Sequence, residues 1–183
     1  MKQMITLSLS LVLLFFIGTA AADDHAAPSQ PVGMVYGMDV SDPAAFAAAM
    51  TKYWDSPTGK QSSGIAILRQ VVAAGESTIS HLVSVAHPSY DSMDASFAMN
   101  AASADWAAFL SEVDGIATVV TSSVFEGTGL GSMNNNIGAG PGVATLYIFI
   151  SVSDPGKYAK SWQKMMGDAD LGETDTMLFA IPA

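Results

Sequence analysis

An α+β fold is predicted for this 183-residue chain, as one complete β-α-β-β-α-β unit followed by a partial second copy of it. Three observations predict it. Runs rich in β-branched and apolar residues alternate with stretches whose large residues recur at helical spacing. Val32–Trp54 aligns with Ala144–Met166 at a constant offset of 112, matching Val40-Ser41-Asp42-Pro43 with Val152-Ser153-Asp154-Pro155. Between the copies, 127–142 holds six glycines and Asn134-Asn135-Asn136, a composition with little to pack that reads as a linker.

Each element of the first copy has its own signal. Met34 to Val40 is a β-rich run that ends at Ser41-Asp42-Pro43. Proline suits the first helical position, where no backbone donor is needed, and Asp42 can accept from the orphan amides of a helix start. Phe46, Met50 and Trp54 then fall on one helix face. Gly64–Val72 and Thr78–His87 are strand candidates, and Ala73-Ala74-Gly75-Glu76-Ser77 between them reads as a hairpin connection. Ser89–Met99 and Ala104–Val113 are helical, the second presenting Trp106, Phe109, Leu110 and Val113 together. Gly115–Phe125 closes the unit with a β-branched run. This order is the split βαβ of ferredoxin-like domains, and residues 32–126 are enough for one unit with its own core.

The second copy occupies 143–183 as β-α-β: a strand over Leu146–Val152, a helix carrying Tyr158, Trp162 and Met166 on one face, and a strand over Thr176–Ile181. A half unit buries too little apolar surface to stand alone. It is expected either to belong to a longer chain or to pack on the first copy.

The amino terminus reads as an export signal over residues 1–22. Lys2 precedes an apolar stretch from Met4 to Gly18, and Ala20-Ala21-Ala22 supplies small residues for cleavage. The apolar stretch is shorter than the ~20 residues of a membrane-spanning helix. The expected destination is the periplasm or the extracellular space of a bacterium. Seventeen acidic residues against seven basic ones give a formal charge of −10, which opposes binding to nucleic acid and to anionic membrane surfaces. The absence of cysteine excludes disulfides and thiolate metal sites.

With the β-α-β-β-α-β order, the run Ala104-Asp105-Trp106-Ala107-Ala108-Phe109-Leu110 and the tandem arrangement established, the chain resembles the dimeric α+β barrel superfamily. That group includes antibiotic-biosynthesis monooxygenase-like, EthD-like and NIPSNAP-like proteins. The resemblance implies that two units pair their sheets, by self-association or within one chain. It also implies a choice among cofactor-free oxygenases, haem-handling enzymes and proteins without established activity, which fold alone does not make. Of the Asn-Trp-His set used by some of its monooxygenases, Trp106 stands in a suitable element, while no Asn and His occupy matching places.

Two main functions are expected. The first is non-catalytic binding of a small apolar ligand or a protein partner, with methionines 34, 38, 50, 93 and 99 available to line an adaptable pocket or to serve as plain core. The second is a cofactor-independent, monooxygenase-like enzyme with His81, Trp106, Tyr36 and Tyr53 around a pocket between sheet and helices. His81 and His87 share a strand face but lie roughly 20 Å apart at ~3.3 Å per residue, too far to hold one metal. A separate metal site is expected at the processed amino terminus. Cleavage after Ala22 would leave Asp23-Asp24-His25, whose terminal amine, two amide nitrogens and imidazole can enclose Cu(II) or Ni(II) in a square plane. No Gly-x-Ser-x-Gly elbow, His-Glu-x-x-His helix or calcium loop occurs.

Overall fold

β1 (Val32–Val40) is the middle of a five-stranded antiparallel sheet, and its even-numbered side chains point to the helices. The computed structural model describes residues 30–132, 146–169 and 176–181. The stretch expected to be a signal at 1–22, Asp23-Asp24-His25 and residues 133–142 of the expected linker lie outside the described residues. On one side β1 pairs with β3 (His81–His87), which pairs in turn with β2 (Ile65–Gln70) at the sheet edge. On the other side it pairs with β4 (Ala117–Ser132), and β4 pairs with β5 (Thr176–Ala180). The order β2-β3-β1-β4-β5 places β1 between the two later strands of the first unit. With the helix order given below, this is a ferredoxin-like α+β fold.

α1 (Pro43–Asp55) links β1 to β2, a short 3₁₀ turn at Gly59–Gln61 following it, and α2 (Tyr90–Ala101) and α3 (Ala104–Val113) link β3 to β4. The helix starts are where the side chains dictate. Asp42 Oδ1 accepts from the Ala45 amide at 3.0 Å with Pro43 behind it. Ser89 and Ser92 form a reciprocal capping box, and Ser103 Oγ accepts from the amides of Asp105 and Trp106. Gly75, at φ +62°, turns the β2–β3 connection, a conformation that a Cβ opposes.

The core lies between the helices and one sheet face. Phe46, 2% exposed, packs there with Val40, Ala49, Val83 and Val113, and Tyr36, Met38, Met50, Leu68 and Phe109 close around them. The buried line on α1 is Phe46, Ala49 and Tyr53, so Met50 and Trp54 sit beside it, half exposed. Leu110 on α3 also faces outward. The opposite sheet face carries no helix of the first unit. There Gly33 lies beneath the Phe125 ring, with no room for a Cβ, and Phe125 meets Phe179 of β5 edge-on at 5.0 Å.

Two stretches differ from the sequence expectation. β4 does not stop at Phe125 but runs on to Ser132, into the glycine-rich stretch, because β5 pairs with Glu126 and Gly127 and again with Gly131 and Ser132. Leu146–Val152, expected as a strand, has no regular secondary structure and no partner strand among the described residues; Leu146 is 81% exposed. The Arg69 guanidinium lies 5.7 Å above the Tyr147 ring, on the sheet face away from Leu68 and the core. α4 (Pro155–Asp168) follows, capped by Asp154, and buries none of its residues.

Candidate functional site

Alternation along β3 puts His81, Val83, Val85 and His87 on the helix-covered face, and both histidines are buried, at 6% and 3% exposed. His81 Nδ1 lies 2.9 Å from Ser80 Oγ, which also accepts from the Val40 amide at 2.8 Å. His87 Nδ1 lies 3.2 Å from Ser63 Oγ, and its ring meets Phe97 edge-on. The far edge of that ring rests against Gly64, where a Cβ would come within 2.8 Å of Cε1. Burial lowers the His87 pKa from its ordinary 6.5, so the imidazole is neutral near pH 7. Among the described residues no group of three or more His, Asp or Glu could hold a metal ion.

The four residues expected around one pocket divide into two groups. Tyr36 stands on the helix face of β1 opposite Val83, one pleat from the Met38–His81 pair, and burial raises its phenol pKa. Tyr53 and Trp106 instead meet where α1 packs on α3, their rings edge-on at 5.1 Å, with Phe109 5.6 Å from Tyr53 and 5.0 Å from Trp106. The Tyr53 hydroxyl donates to Asn100 Oδ1 at 2.6 Å. Burial raises the Tyr53 pKa, the Asn100 hydrogen bond works against that, and the Asp105 charge adds to it. Asp105 is held below the ordinary carboxylate value, first by the Thr58 hydroxyl at 2.8 Å and then by the Thr58 amide at 3.1 Å. No hydrogen bond or ring contact among the described residues joins the Tyr36–His81 pair to the Tyr53–Trp106 pair.

A hollow forms on another face of α1. Between α1 and the edge strand β2 a groove of about 310 Å³ is floored by Met50, Trp54, Ala66 and Leu68 and rimmed by Thr51 and Asp55. Its volume is at the lower end of small-molecule sites, roughly 300–1,000 Å³. Of the five methionines expected to line a pocket, Met50 lines this groove, while Met93 is buried and Met38 packs on the core. A smaller hollow of about 220 Å³ lies at the start of α4, beside Val152, Asp154, Lys157 and Tyr158. No described helix is long and apolar enough to cross a membrane.

No family model matches this chain, and no curated protein matches it either. Among solved structures it is similar to a NIPSNAP family protein with unknown function from Agrobacterium tumefaciens strain C58. The two share 16% identity over 56% of this chain and 91% of that one, with a TM-score of 0.38.

Proposed function

We propose that this is an exported, ferredoxin-like binding protein that holds a small apolar ligand in the groove between α1 and β2. The supporting observation is that groove. Met50, Trp54 and Leu68 leave apolar surface half exposed in a concave setting, whereas the rest of the helix–sheet interface is filled by Phe46, Val83 and Val113. Burying an indole and a thioether against a ligand stabilises the complex by roughly 25 cal/mol per Å² of apolar surface removed from water. Methionine adapts to ligand shape through its unbranched chain. The catalytic alternative asks His81, Trp106, Tyr36 and Tyr53 to share a pocket; the groove that carries the binding reading is lined by Met50, Trp54 and Leu68 rather than by those four. The export signal at 1–22 gives the compartment. The shared cap geometry of Asp42 and Asp154 supports reading 143–183 as a partial second unit.

Titration with Nile red, a neutral apolar dye, tests the groove. Saturable fluorescence enhancement at micromolar protein, lost in Trp54→Ala while the circular dichroism spectrum is unchanged, is the expected result. Enhancement that survives Trp54→Ala would place the dye elsewhere and remove the proposal.

A further inference from the structure

Resting on that groove reading, we infer that the ligand is an amine, a protonated nitrogen on a short apolar or aromatic body. The floor is apolar, but the two polar groups on the rim are both acceptors. The Thr51 hydroxyl gives its proton to the Ala47 carbonyl at 2.9 Å, leaving only lone pairs for the groove. Asp55 is an exposed carboxylate, and it accepts no hydrogen bond from the described residues. Asp55 is also the last residue of α1, where the helix dipole places about half a negative charge. A ligand that donates hydrogen bonds and carries positive charge satisfies all three features, whereas a carboxylate or phosphate meets only repulsion.

The basic residues nearby do not compete for this position. Lys52, on the same helix, is ion-paired with Glu112 of α3. Lys60 is exposed on the 3₁₀ turn and does not line the groove, and Arg69 points to the opposite sheet face, over Tyr147. Trp54 completes the site, because an indole face attracts a cation as well as an apolar surface. The volume of about 310 Å³ suits a body of one aromatic ring with a short side chain.

Two isosteric probes, 2-phenylethylamine and 2-phenylethanol, separate the charge from the shape. Binding to the full chain at pH 7 is followed through the indole N–H resonance of Trp54, assigned by its loss in Trp54→Phe. The amine is expected to bind about tenfold more tightly than the alcohol, the difference made by one charge-assisted hydrogen bond. Asp55→Asn should abolish that difference by weakening the amine to the affinity of the alcohol, and a Trp54 resonance that both probes still shift reports that the groove is intact. Equal affinities in the native chain would overturn the amine inference and keep the apolar groove. Binding of neither probe would overturn both. An amine preference that persists in Asp55→Asn would assign it to the general acidity of the chain and overturn the site.

Discussion

α1 and α4 begin in the same way and end in different circumstances. Asp42 and Asp154 adopt nearly the same backbone angles, φ −129° and ψ 87° against φ −136° and ψ 89°, and each accepts from the amide three residues ahead. Each is followed by proline, and Phe46 and Tyr158 donate their amides to the cap carbonyls at 3.0 Å in both helices. Yet α1 fully buries Phe46, Ala49 and Tyr53, while α4 leaves even Tyr158, Trp162 and Met166 half-buried. The strand before each helix makes the difference. β1 has ladders on both sides and offers Tyr36, Met38 and Val40 to α1, whereas Leu146–Ile150 has no partner strand among the described residues and leaves its side chains largely in water. A cap and a period are enough to start a helix, but burial needs a surface already assembled by the rest of the chain.

The sharpest way to test that contrast is to cut the equivalent aromatic from each helix. Phe46→Ala should cost about 3–5 kcal/mol in denaturant unfolding, since it leaves a cavity in a closed core. Tyr158→Ala should change the main transition by less than about 0.5 kcal/mol. Similar losses from both would mean that α4 is packed as α1 is. A smaller effect separates the caps. Asp42→Ala should lower global stability by about 1 kcal/mol, whereas Asp154→Ala should speed amide exchange at the start of α4 and leave the midpoint in place. The smallest effect comes from protons. Because burial depresses the His87 pKa, the unfolded chain binds a proton there first as the pH falls below 6.5. Stability should therefore decline on acidification through and below that pH, with a shallower slope in His87→Gln, and α4 should be indifferent to it. A slope unchanged by the substitution would remove His87 as its source.

The parts of the fold readable from sequence are those governed by neighbours in the chain. α3 spans Ala104–Val113 as its spacing predicts, and the α1 and α4 caps fall at Asp42 and Asp154 because a side-chain oxygen beside proline answers a local need. The alternation from His81 to His87 also put both imidazoles on one face, but which face was covered depended on helices tens of residues away. The extension of β4 to Ser132 was hidden because Gly127, Gly129 and Gly131 have no strand propensity; the ladder to β5 holds Gly127 and Gly131 on either side of an irregularity. The groove was hidden because Met50 and Leu68 look like ordinary core residues in isolation. The Tyr53–Asn100 hydrogen bond is invisible in the sequence because 47 residues separate its partners.

By itself, the sequence determined the order of elements, the helix starts and the acidic charge, each a matter of local hydrogen bonding, periodicity or simple counting. Tertiary structure alone decided which repeated features became core and which stayed at the surface. Tyr53 met Trp106 where α1 packs on α3, and Trp54 and Leu68 came to line one groove, because side-chain neighbours across an interface are chosen by packing of distant segments.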